Sequence, residues 1–176
     1  GRKDVDDSVV SRVHEIDDTI ELGVTAGGEW VFEEDVRHRF RVGADILFDV
    51  ANSYDGYVAD LFVRYWFPVG KAVDVGLGVS ASYGSAGYMD SYFGVNAADS
   101  ARSGLQQYSA GAGFQAVRFF PMVMVHLSKS WHLGFGGRYS RLLSDAADSP
   151  IVKAGSRDQW TVGAGISHRF DFNLFR

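Results

Sequence analysis

Hydrophobic and polar positions alternate with period two along most of this chain, in seven separate stretches. In residues 158–170, Trp160, Val162, Ala164 and Ile166 fall on one face of an extended chain, and Thr161, Gly163, Gly165 and Ser167 fall on the other. The same alternation predicts strands over 19–32, 36–50, 57–67, 73–83, 114–128 and 131–142. The stretch 73–83 is the cleanest, with Val73, Val75, Leu77, Val79, Ala81 and Tyr83 opposing Asp74, Gly76, Gly78, Ser80 and Ser82. The stretch 114–128 is apolar on both faces and is the least regular. In 158–170 the non-apolar face is small and nearly uncharged, unlike the water-facing side of a soluble sheet.

Most of these stretches exceed the usual globular strand and have the length a tilted strand needs to cross a bilayer. Aromatic residues gather near their ends, among them Trp30, Phe32, Tyr57, Tyr65, Phe67, Tyr83, Trp131, Tyr139, Trp160 and Phe170. Interfacial girdles have this distribution. The predicted links alternate between short (33–35, 68–72, 129–130) and long (51–56, 84–113, 143–158), as turns and loops do on the two rims of an outer-membrane barrel. The predicted fold is therefore an all-β, antiparallel transmembrane β-barrel of the outer-membrane type, one domain over 1–176. The apolar face meets lipid and the small, charged face lines a lumen. A soluble sandwich or lipocalin-like barrel is the alternative. Seven strands is an odd number, and bacterial single-chain barrels use even counts, so a larger even-stranded barrel is expected.

Composition agrees. Of 176 residues 21 are Gly and 3 are Pro, which suits glycine-tolerant β structure. Cysteine is absent, which removes disulfides and thiolate chemistry. No stretch reaches the roughly 18 apolar residues of a membrane-spanning helix. A net charge of −5 argues against a nucleic-acid partner.

Three segments carry a family resemblance: DVDDSVVSRVHEIDDTIELGV (4–24), YMDSYFGVNAADSARSGLQQYSAGAGF (88–114) and SRLLSDAADSPIVKAGSRDQW (140–160). Together they resemble the MipA/OmpV family, the MltA-interacting outer-membrane proteins of Gram-negative bacteria, from about residue 2 to residue 170. The resemblance implies longer relatives with further strands ahead of this region, and a chain that ends at a terminal aromatic. Here DFNLFR follows Phe170. It also implies a bacterial outer-membrane scaffold, not an enzyme, that joins a lytic transglycosylase to a penicillin-binding protein in murein turnover. Lipid and lipopolysaccharide would be its surroundings. A narrow channel or solute-binding barrel, or a surface antigen or adhesin, are the other functions kept open.

No catalytic, cofactor-binding or metal-binding residues are nominated. Gly111–Ala116 matches GxGxxA on paper but lacks the βαβ setting of a dinucleotide site. The five His residues show no metal spacing, although His126 and His132 flank a short turn and could lie close together. Asp4, Asp6, Asp7, Asp17 and Asp18 read as a solvated acidic segment, with Ca²⁺ bridging to lipopolysaccharide the less favoured possibility. Two structural features are expected instead. The first is a lumen ladder of ion pairs among Arg39, Arg41, Asp45, Asp49, Asp60 and Arg64, with Arg37 beside it. The second is a plug: the loop 84–113, carrying Tyr92, Phe93, Arg102 and Tyr108, folds back into the lumen with a short helix over 97–102.

Overall fold

A computed structural model describes residues 8–16 and 18–170. The C-terminal DFNLFR and the acidic positions Asp4, Asp6, Asp7 and Asp17 lie outside the described residues. All seven predicted strands form: β1 (Glu21–Val31), β2 (Arg39–Asp49), β3 (Tyr57–Val69), β4 (Val73–Gly84), β5 (Gly113–His126), β6 (Trp131–Leu142) and β7 (Asp158–His168). They pair antiparallel in chain order as one seven-stranded meander. Among the described residues β1 pairs only with β2 and β7 only with β6, so this sheet is open along two edges. Among the described residues no helix is long and apolar enough to cross a membrane.

The outer face is built as lipid would require. Trp160 is 72% exposed and Val162 83%, and Leu22, Val24, Leu61, Val79 and Ile166 are also well exposed. A continuous apolar face of this extent would aggregate in water. Aromatics bound it on both sides. Toward the long loops, Phe48, Tyr57, Tyr83 and Phe114 run across four strands with successive ring centroids 5.8, 6.5 and 5.7 Å apart. Toward the short turns stand Trp30 and Phe40, 5.7 Å apart, then Tyr65 and Phe67. Phe40 and Phe48 lie on one strand. At the rise of an extended chain and a barrel tilt they are separated by about 20 Å along the membrane normal, close to the height of an outer-membrane apolar band.

The concave face explains the glycines. Large rings from one strand lie over glycines of the next. A Cβ on Gly43 would meet the Phe62 ring at 2.6 Å, and one on Gly76 would meet the Trp66 ring at 2.9 Å. β5 is the irregular strand, as its sequence suggests. Its pairing with β4 shifts between Ser82 and Tyr83, and its pairing with β6 skips Phe120 and Pro121. Pro121 has no N–H to give to a ladder.

The links depart from the expected alternation in one place. Residues 32–38 connect β1 and β2, and 50–56 connect β2 and β3, so these two links are equally long. β2 starts at Arg39 because 32–38 folds on itself. The Asp35 carboxylate accepts from Arg37 N at 3.0 Å, and His38 N donates to Asp35 O at 2.8 Å. The later links keep the contrast: 70–72 and 127–130 on one rim, 85–112 and 143–157 on the other.

The two long links supply most of the tightly packed core. They form α1 (Ala86–Phe93), α2 (Ala97–Ser103), α3 (Ser144–Asp148) and α4 (Pro150–Ala154). One cluster joins Met89 and Ala110 to the strand residues Ala116 and Leu142 and to Ala146 of α3. A second joins Val10 and Val13, around the 3₁₀ turn Val10–Arg12, to Val95 and Ile151. Tyr108 packs against both.

Candidate functional site: the concave face and its two rims

The expected ladder does not form among its named members. Antiparallel register sets Arg41 directly opposite Arg64 and Asp45 directly opposite Asp60. No ion pair links any two of Arg39, Arg41, Asp45, Asp49, Asp60 and Arg64. Asp60 instead pairs with Arg118 of β5 at 2.8 Å, across β4. Asp49 leaves the ladder for the adjacent loop: it accepts from Thr19 Oγ1 at 2.6 Å, Tyr54 N at 2.6 Å and Ala51 N at 3.0 Å. The signs are segregated along the strands. Arg39, Arg41 and Arg64 lie toward the short turns, and Asp45, Asp49 and Asp60 toward the long loops.

The three arginines rest on rings. The Arg39 guanidinium carbon is 5.9 Å from the Trp66 centroid, while those of Arg41 and Arg64 are 5.7 and 5.0 Å from the Phe62 centroid. Arg39 Nε is buried without a hydrogen-bond acceptor.

The short-turn rim carries a second polar chain that spacing alone left undecided. His126 Nδ1 and His132 Nδ1 are 2.7 Å apart, so one carries a proton that the other accepts. His126 Nε2 lies 2.7 Å from Asp74 Oδ2, and Asp74 Oδ1 accepts from Arg37 Nη1 at 3.3 Å. Arg37 also donates to Gly70 O and pairs with Asp35 at 2.7 Å. The chain therefore ties together all three short turns. Among the described residues no group of three or more His, Cys, Asp or Glu could hold a metal ion.

The long-loop rim is capped. The long link folds over the concave face at its end: a Cβ on Gly84 would meet Tyr88 at 2.7 Å and Met89 at 3.0 Å. The Ser85 hydroxyl accepts from Tyr57 N at 2.9 Å, anchoring α1 to β3. Gln115, the extra residue at the β5 irregularity, turns its amide in to donate to Ser82 Oγ at 2.8 Å. The four named loop residues do different work. Tyr92 stacks on Tyr88 at 4.4 Å, Phe93 joins the Met89 cluster, and Tyr108 donates to Asp145 O at 2.9 Å. Arg102 pairs with Asp99 at 2.6 Å and donates to Arg12 O.

Asp99 is the buried polar centre of this cap. It accepts from Arg102, from His14 N at 2.8 Å and from His14 Nδ1 at 2.7 Å, and closes a capping box with Asn96 at the start of α2. Burial opposes its ionisation, but the bonds from His14 and Arg102 outweigh that and hold its carboxyl below the usual range. Asn96 and Asp99 stand at capping-box spacing in the sequence, which marks the helix start. Nothing local marks His14 as the partner. Nearby, burial followed by a hydrogen bond to Glu21 (2.6 Å) pushes the Tyr54 hydroxyl well above the ordinary tyrosine range.

An antiparallel meander with a lipid-ready outer face, two aromatic girdles and a small-residue, charged inner face defines a protein of the outer-membrane β-barrel class. The comparisons agree. A family profile described as "MltA-interacting protein MipA" matches residues 1–170. The chain belongs to this MipA family, and its place is the outer membrane. It is 32% identical over 122 residues to outer membrane protein OmpV of Vibrio cholerae, covering 69% of this chain and 46% of that protein. It is 27% identical over 174 residues to putative outer membrane protein YiaT of Escherichia coli, covering 95% and 63%. Against the MltA-interacting protein of Escherichia coli it is 27% identical over 128 residues, covering 69% and 48%. The chain thus spans about half the length of most of these relatives. No solved structure matches it.

Proposed function

We propose that this chain is part of the wall of an outer-membrane barrel that acts as a non-enzymatic scaffold, seating a lytic transglycosylase and, through it, a penicillin-binding protein at the periplasmic rim. Family membership supports the reading, together with the Escherichia coli relative, whose name is MltA-interacting protein. Residues 1–176 act as one barrel domain on this reading. Short turns face the periplasm in barrels of this class. The observation that carries the proposal is the surface of that rim. Val36 is 70% exposed and Leu127 60%, set among Glu33, Glu34, Lys71 and Lys129. Exposed apolar groups inside a charged surround suit a protein partner. The open edges of β1 and β7 call for further strands, because lipid leaves unpaired ladder groups unsatisfied. The greater length of the relatives leaves room for them and for an even count.

The test is site-specific photocross-linking in cells making the full-length protein. A cross-linker at Val36 or Leu127 is expected to capture a lytic transglycosylase, with a penicillin-binding protein in the same complex. One at Gln106, on the long-loop rim, is expected to capture neither. Capture from Gln106 alone, or from none of the three, overturns the reading. A second reading, a solute-binding barrel, is favoured by the unpaired arginines of the concave face.

A further inference from the structure

We propose that Arg39, Arg41 and Arg64 form a binding site for a soluble, multivalent phosphate-type oxyanion inside the lumen, on the half nearer the short turns. Among the described residues none of the three has a carboxylate within ion-pair distance, although Asp45 and Asp60 lie on the same face. Like charges placed directly opposite on paired strands destabilise a sheet. Here Arg41 and Arg64 are so placed, and their guanidiniums share one ring, Phe62. Ring stacking holds a guanidinium flat and leaves its N–H edge free, the geometry that matches an oxyanion through paired bonds. The buried Arg39 Nε, without an acceptor, is a donor that a protein normally satisfies. A multivalent oxyanion among the three answers both the repulsion and the unused donors. Glu29 stands opposite Arg41 on β1 without pairing to it, and as the nearby negative charge it works against such a ligand. The face points away from lipid, so the ligand is a small solute and not a lipid headgroup.

The site is independent of the scaffold reading, so failure to capture a transglycosylase leaves it standing. It is tested on the full-length protein in detergent by titrating inorganic phosphate against potassium chloride at matched ionic strength, read by calorimetry and by thermal stabilisation. Saturable phosphate binding is expected, absent with chloride. Arg41→Gln with Arg64→Gln should weaken it by about tenfold or more, as expected for losing charge-assisted bonds. Glu29→Gln should tighten it. This second variant keeps all three arginines, so it reports even if the double variant does not fold. Pyrophosphate should compete, and micelles of lipid A should not. No saturable binding to the wild type, unchanged affinity in the folded double variant, weaker binding in Glu29→Gln, or competition by lipid A micelles alone overturns the proposal.

Discussion

Asp99→Ala is expected to detach the N-terminal segment from the long-loop cap and cost about 3 kcal/mol, the scale of breaking a buried, multiply bonded charge. The carboxylate is fully buried and accepts from three groups on His14 and Arg102 as well as capping α2. Since Val10 and Val13 pack with Val95 and Ile151, losing the anchor also exposes that apolar cluster. Hydrogen exchange over 95–108 should quicken markedly while exchange in the strands stays slow, and trypsin should cut after Arg102 sooner than in the wild type. The pH dependence follows from the lowered carboxyl. Its stabilisation is complete above its ordinary value of 3.8 and is lost as pH falls through the lower folded value. The cap of the wild type should therefore loosen in acid, and that part of the acid response should vanish in Asp99→Ala.

Gly43→Val is expected to block formation of the sheet. A Cβ there would lie 2.6 Å from the Phe62 ring and 2.9 Å from the backbone oxygen of Ala26. The ring could swing, but the backbone on the β1 side cannot move without parting the strands. Overpacking of this kind typically costs about 1–3 kcal/mol, and more where backbone must shift. Gly113→Val is the matched control, because nothing lies within 4 Å of its would-be Cβ. In a gel assay of heat-modifiable migration, the first variant should run as unfolded protein and the second as the wild type. Equal folding of both would contradict the ring-over-glycine packing of the concave face.

Much of this protein was legible from alternation alone. Strand existence, the lipid-facing set and the loop helix near 97–102 depend on period and local chemistry, which residues carry in their own neighbourhood. Strand parity decides which face a side chain takes, and that is why Arg41, Asp45, Asp60 and Arg64 could all be placed inward. Parity does not decide register. A slip of two residues keeps every face and changes every partner. The ion-pair ladder was expected on parity, and register placed arginine against arginine and aspartate against aspartate instead. The folded 32–38 turn, held by Asp35, shows how small a local feature sets where a strand begins.

The inward fold of loop 84–113 and the closeness of His126 and His132 were legible, but the partners that hold the cap and the rim network were out of reach for the same reason. His14 meets Asp99 across 85 residues, and Asp74 meets His126 across 52, and no spacing rule spans such separations. The sequence by itself determined the antiparallel strands, their inward and outward faces and the membrane they suit, because these follow from side-chain period and the length of extended chain. Tertiary structure alone decided which charges face one another, which donors lack an acceptor and which contacts hold the long-loop cap in place, because those depend on register and on contacts between segments far apart in the chain.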